Sequence, residues 1–212
     1  MYNIGEPSMP PLVAQWAVID QSTAVMASYQ IVIALLMRER LGIRQKVDVS
    51  LLDTVSYIEY LNNFVTLLAG REMPKFERAS ADPMRNYYRC QDDKWIAHNQ
   101  PPGEEKWQTV YQLLGYPELI QNPRYNSRLK RIENSTELVA IFDKAFATKT
   151  RDEWIRIFNE KNLVACAVNT TTEAINDPQM IANDYIVDFE HSVAGLVVLY
   201  EFCQFECTVV IR

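Results

Sequence analysis

Residues 20–53 read DQSTAVMASYQIVIALLMRERLGIRQKVDVSLLD, and the order of patterns in that stretch decides what kind of fold the chain can make. Between 24 and 37 the residues are apolar except for Ser28 and Gln30. Arg38, Glu39 and Arg40 crowd the far end and Gly42 follows as a stop, so the spacing predicts a helix over 21–41. Apolar on all sides, that helix is expected to be enclosed. Lys46-Val47-Asp48-Val49-Ser50 alternates apolar with polar, the pattern of a short half-buried strand. Ser50 with Asp53 three residues on resembles a capping box, and Leu51, Leu52, Val55, Ile58, Leu61, Val65 and Leu68 recur at helical spacing up to Gly70. A second long helix is the expectation.

Outward from this stretch the signals weaken. Residues 1–11 carry Gly5, Pro7, Pro10 and Pro11 without periodicity, which suits an extended entry segment. Residues 71–85 hold Pro74, Pro83 and the basic Arg71, Lys75, Arg78 and Arg85, and read as a linker. Beyond it, 94–98 reads as a strand, 104–114 as an amphipathic helix stopped at Gly115, and Asn122-Pro123 as a turn. Helices are expected over 128–147 and 151–161, the latter announced by Thr150 and Glu153 as a capping box. A strand over 163–168, short helices near Thr172 and Asp177-Pro178, and a β-rich tail over 188–211 around Gly195 complete the reading. The class is α+β, or irregular α/β, with residues 1–70 as one portion, 71–85 as linker and 86–212 as a smaller α+β domain.

Composition narrows the function. Hydrophobic residues are 48% and charged residues 23% of 212, which excludes disordered and fibrous classes. The 27 acidic against 21 basic side chains leave a net charge of −6, so no nucleic-acid partner is expected. The 24–37 run is shorter than the roughly 20 residues a membrane span needs, and no leader pattern opens the chain. The expectation is a cytoplasmic protein with no membrane partner. Cys90, Cys166, Cys203 and Cys207 are scattered, with only His98 and His191 to join them, so reduced thiols and no metal are expected.

Asp20 stands immediately before the most apolar helix, where the helix dipole favours a carboxylate. Its ordinary role there is an N-cap, bonding the backbone N–H of Ser22 or Thr23. Its chemical role would be that of a nucleophile toward an activated acyl group. The wider pattern bears on that choice: Gly5-Glu6-Pro7, Pro10-Pro11, Asp20, the run from Ala34 through Leu41-Gly42-Ile43-Arg44-Gln45, and Val47-Asp48-Val49-Ser50-Leu51-Leu52-Asp53 follow in order. Asn86-Tyr87-Tyr88-Arg89 with Asp92, Asp93 and Trp95, then Asn122-Pro123-Arg124-Tyr125, Arg131 with Asn134, Thr150 through Trp154, and Asp177-Pro178-Gln179 come after. To about Asp188 the chain resembles the family III CoA-transferases, which include formyl-CoA transferase and α-methylacyl-CoA racemase.

The resemblance implies an acyl-CoA:carboxylate CoA-transferase in which Asp20 forms an aspartyl-acyl anhydride and then an aspartyl-CoA thioester. It places Leu51 along the pantetheine arm. It implies a coenzyme A thioester as substrate, no tightly bound cofactor, and a homodimer or higher oligomer, interlocked as in the family. Residues 1–70 would be a remnant of a large domain, because the family's nucleotide-fold portion lies before the aspartate and only 19 residues precede Asp20. Glycines 42, 70, 103, 115 and 195 are isolated, so no glycine-rich loop is offered to cover the aspartate. The family's Gly-x-Gly-Gln turn stands here as Gly42-Ile43-Arg44-Gln45, and its Asp-Gly as Asp92-Asp93. The alternative is a non-catalytic binding or assembly module with the same small-domain fold. A racemase-like activity ranks third, since no histidine precedes Asp20 and His98 reads as structural. Arg38, Arg40, Arg44 and Lys46 could meet phosphates, although basic residues at a helix end also complement its dipole. Trp95, Trp107 and Trp154 read as core.

Overall fold

The computed structural model describes residues 4–13, 16–100, 106–193 and 195–200. The chain is α+β and divides into two compact units, Met1–Arg78 and Ala79–Arg212.

The first unit is helical. α1 spans Val18–Leu41 and ends where Gly42, at φ 70°, turns its N–H back to the Arg38 carbonyl. Two further helices, α2 (Leu51–Ile58) and α3 (Tyr60–Ala69), replace the single helix expected over that stretch. The break is Glu59, whose N–H reaches the Val55 and Tyr57 carbonyls. Apolar periodicity runs through such a one-residue change of direction and does not report it. Ser50 caps α2 by accepting from the Asp53 N–H at 3.0 Å. Near the unit's end, the Glu6 carboxylate accepts from the Arg78 N–H at 3.1 Å, tying the entry segment to the close of the unit.

Two more expectations fail in this unit. Residues 46–50 form no strand, although Val47 and Val49 are less exposed than Lys46, Asp48 and Ser50 as the alternation requires. A strand needs a hydrogen-bonded neighbour, and no described residue supplies one. α1 is not enclosed either: none of its residues is buried, with Tyr29 63% and Val32 62% exposed. Among the described residues it is the one helix long and apolar enough to cross a membrane by length and composition, since it runs to 24 residues and beyond the apolar run.

The second unit holds the core. β1 (Arg85–Arg89), β2 (Trp95–Asn99) and β3 (Ala165–Val168) make an antiparallel sheet in that order. Tyr88 lies opposite Ile96, and Asn86 opposite His98, on the inward face. Helices α4 (Lys106–Leu114), α5 (Arg128–Glu133), α6 (Ser135–Phe146) and α7 (Arg151–Glu160) surround it. The expected 128–147 helix is interrupted at Asn134. Tyr111, Leu138, Phe142, Phe146, Trp154 and Phe158 pack with Tyr88 and Ile96 into one buried cluster. Two of its polar groups are satisfied, the Tyr88 hydroxyl donating to the Pro83 carbonyl at 2.7 Å and the Trp154 indole to that of Phe146 at 2.9 Å, whereas the buried Tyr111 hydroxyl and Trp107 indole find no acceptor among the described residues. Trp107 and Trp154 are core, whereas Trp95 is 39% exposed, because β2 turns it to the opposite face from Ile96.

Short helices α8 (Thr171–Ile175) and α9 (Pro178–Ala182) follow, then an antiparallel hairpin of β4 (Ile186–His191) and β5 (Gly195–Tyr200). Thr150 and Thr170 each close a full capping box, with Glu153 and Glu173. Glu173 also accepts from Arg151 at 3.1 Å and pairs with Lys94 at 2.8 Å, clamping α8 to α7 and to the residue before β2. Hydrogen bonds from Lys94, the Thr170 backbone and Arg151 hold its carboxyl down at about 2. The expected β-rich segment beyond 200, with Cys203 and Cys207, lies outside the described residues.

Candidate active site

Asp20 is in the first turn of α1, two residues after Val18, and does not precede the helix. It is therefore no N-cap; Ala17 takes that position and offers no side-chain bond. The start moves back because Val18 and Ile19 extend the apolar face without any capping signal. The consequence for Asp20 is electrostatic. The first-turn N–H groups lie at the positive end of the helix dipole, and an acidic side chain in that turn complements it. The side chain is exposed and makes no hydrogen bond or ion pair among the described residues. One turn on, Thr23 donates its hydroxyl to the Ile19 carbonyl at 2.7 Å and takes no part.

Leu51 is the first residue of α2, directly after the Ser50 cap, and is 51% exposed. It belongs to a wide apolar surface in this unit: Tyr57, Tyr60, Leu61, Phe64, Leu67 and Leu68 are all exposed, and Thr54 is the one buried residue of α2. Asp20 and Leu51 thus stand at the amino ends of packed neighbours, since α1 packs against α2.

His98 lies elsewhere, in the core of the second unit at 1% exposure. The rings of Tyr88, Phe142, Phe146 and Phe158 surround it, Phe158 edge-on at 5.1 Å. Burial pushes its pKa down to about 3, so it is a neutral structural side chain, out of reach of solvent. Cys90 is buried and its thiol is pushed up to about 11, chiefly by burial. Among the described residues no three His, Cys, Asp or Glu side chains stand together as a metal site.

Two departures from the family's glycines have different outcomes. Asp93 sits at φ 61°, in the left-handed region that the usual glycine adopts freely, and it closes the β1–β2 turn with its N–H on the Cys90 carbonyl at 3.1 Å. Arg44 is not among the positive-φ residues, so its position needs no glycine.

The model of CoA-transferase family III matches residues 1–208 of this chain. The chain belongs to that family. It is 28% identical over 190 residues to an acyl-CoA transferase of Fusarium pseudograminearum, covering 89% of this chain and 41% of that protein. It is 24% identical over 205 residues to a probable fatty acyl-CoA transferase of Mycobacterium tuberculosis, covering 91% of this chain and 51% of that one. A crystal structure of a CaiB/BaiF family protein from Brucella suis superposes with a TM-score of 0.77 at 22% identity, covering 92% of this chain and 54% of that one, and so shares its fold. The chain spans about half the length of the curated relatives it matches.

Proposed function

We propose that this chain carries the nucleophile of an acyl-CoA:carboxylate CoA-transferase, and that Asp20 is that nucleophile. The observation that carries the reading is an exposed carboxylate, without a partner among the described residues, in the first turn of a long helix, in a chain of this family. A carboxylate engaged in an ion pair would have to break it before attacking; Asp20 has none to break among the described residues.

The chemistry balances without metal or redox change. Asp20 attacks the thioester carbonyl of acyl-CoA and expels the CoA thiolate, leaving an aspartyl-acyl anhydride. The thiolate returns to the aspartyl carbonyl and releases the donor acid, leaving an aspartyl-CoA thioester. The acceptor carboxylate attacks that carbonyl, freeing the thiolate and forming a second anhydride. Thiolate attack on the acceptor's acyl carbon then gives the new acyl-CoA and restores Asp20. Leu51 is assigned to the apolar wall along the pantetheine arm.

The organisation that goes with this reading has residues 1–70 as part of a larger domain, 71–85 as a linker and 86–212 as the small domain. The exposed apolar side chains of α1, α2 and α3 support an assembly of at least two chains, because monomeric proteins rarely leave so many large apolar side chains together in water. The same burial need lets the face of α1 that carries Val25, Tyr29, Val32 and Leu36 serve a cytoplasmic protein as an interface.

The test is an adduct. After incubation with an acyl-CoA, intact mass should rise by an acyl or CoA group on Asp20, and hydroxylamine should remove it. Asp20→Asn should abolish the adduct and keep the fold, at a cost of about 0.3–1 kcal/mol for one first-turn charge. No adduct from several acyl-CoA donors, together with no CoA binding by calorimetry, would refute the assignment for this chain.

A further inference from the structure

A groove of about 430 Å³ lies within the first unit, between the last turns of α1 and the segment 44–47. Its floor is aliphatic: Ile31, Ala34 and Leu35 from one face of α1, and Val47 from the segment after it. Arg38 continues the same helix face, and Arg44 and Gln45 complete the lining. Neither guanidinium makes an ion pair among the described residues, whereas the neighbouring Lys46 is engaged with Asp48 at 2.7 Å.

The helix dipole accounts for only part of this. Arg38 and Arg40 both sit in the last turn of α1, where a cation is favourable. Arg44, however, comes after the left-handed Gly42 has reversed the chain, and it still lines the cavity that Arg38 lines, while Arg40 does not. Two guanidiniums and a carboxamide at the rim of an aliphatic floor make an amphiphilic receptor. Guanidinium forks match the two oxygens of a carboxylate. Among the described residues that line it there is no aromatic ring on which a nucleotide base could stack, and the volume is at the small end of ligand sites, which run from roughly 300 to 1,000 Å³.

We infer that this groove binds an organic acid: a carboxylate on a short aliphatic body, held by Arg38, Arg44 and Gln45. It is separate from the Asp20 position, because eighteen residues of helix at about 1.5 Å each put Arg38 about 27 Å along the axis from Asp20. The inference is therefore independent of the catalytic assignment and survives its failure.

Calorimetric titration of the full chain with octanoate tests it, with octanol and inorganic phosphate as the two half-ligands. Saturable binding of octanoate is expected, with neither half-ligand competing at comparable concentration. Arg38→Gln and Arg44→Gln should each weaken binding about tenfold, the loss of one charge-assisted hydrogen bond at a rim open to water. Arg40→Gln makes the same charge change at the same helix end and should leave affinity unchanged. Leu35→Asp, which sets a carboxylate on the floor, should abolish binding while circular dichroism stays native. Absent saturable binding, an equal loss in Arg40→Gln, or phosphate competing as well as octanoate would each overturn the inference.

Discussion

Acid should unfold the second unit through His98 before the carboxylates take part. The imidazole is 1% exposed inside the rings of Tyr88, Phe142, Phe146 and Phe158. Its Nδ1 faces the Gln100 amide nitrogen at 3.4 Å, and Nε2 has no acceptor among the described residues. Gln100 is itself committed, donating to the Val164 carbonyl at 2.8 Å and accepting from the Val164 N–H at 3.2 Å. No carboxylate is among these partners, so a protonated ring would be a buried charge without a counterion. Burial lowers the pKa from 6.5 to about 3. Above the unfolded value of 6.5 both states are neutral and His98 has no pH effect. Below it the unfolded chain takes up a proton that the folded one refuses, so stability falls by about 1.4 kcal/mol per pH unit until pH approaches 3. By pH 5 the loss is about 2 kcal/mol, a large share of a typical domain's margin. Carboxylates held down in the fold, such as Glu173 at about 2, begin to cost stability only as pH falls through the ordinary carboxylate range, so the interval from 6.5 to 5 separates histidine from them. Urea unfolding at stepped pH should show this slope in the natural chain, and His98→Leu, neutral at every pH, should remove it. Equal slopes in both proteins would show that His98 is not the buried base the geometry makes it.

Two further outcomes follow from the geometry. Asp93→Gly should raise stability by about 1 kcal/mol in thermal unfolding, since it relieves a left-handed residue and gives up only the exposed pair with Arg89 at 3.1 Å. Light scattering at micromolar concentration should report a dimer or larger, with Leu67→Lys and Leu68→Lys shifting it toward monomer, and a clean monomer of the natural chain would refute the covering of α3.

How far the sequence could be read depended on whether a signal was local. The Thr150 capping box and the Gly42 stop were legible, because a cap is satisfied within three or four residues of itself. Breaks at Glu59 and Asn134 were not, since apolar spacing on either side stays in phase. β1 was missed because Arg85, Tyr87 and Arg89 alternate with Asn86 and Tyr88, placing an aromatic on each face and a polar side chain, Asn86, inside. Residues 46–50 were misread for the opposite reason: the alternation was present and the neighbour was not. Of the candidate site, the carboxylate and its helix were visible, while the turn that holds it was misplaced.

That misplacement changes the chemistry expected of Asp20. An N-cap aspartate spends its oxygens on backbone N–H groups, and each bond lowers its basicity and fixes its direction. A first-turn aspartate with neither oxygen engaged among the described residues feels the dipole at its back and keeps both lone-pair sets for an incoming carbonyl. Moving the helix start by three residues, to Val18, converts a structural cap into a side chain that is exposed and uncommitted among the described residues, which is the condition a nucleophile has to meet.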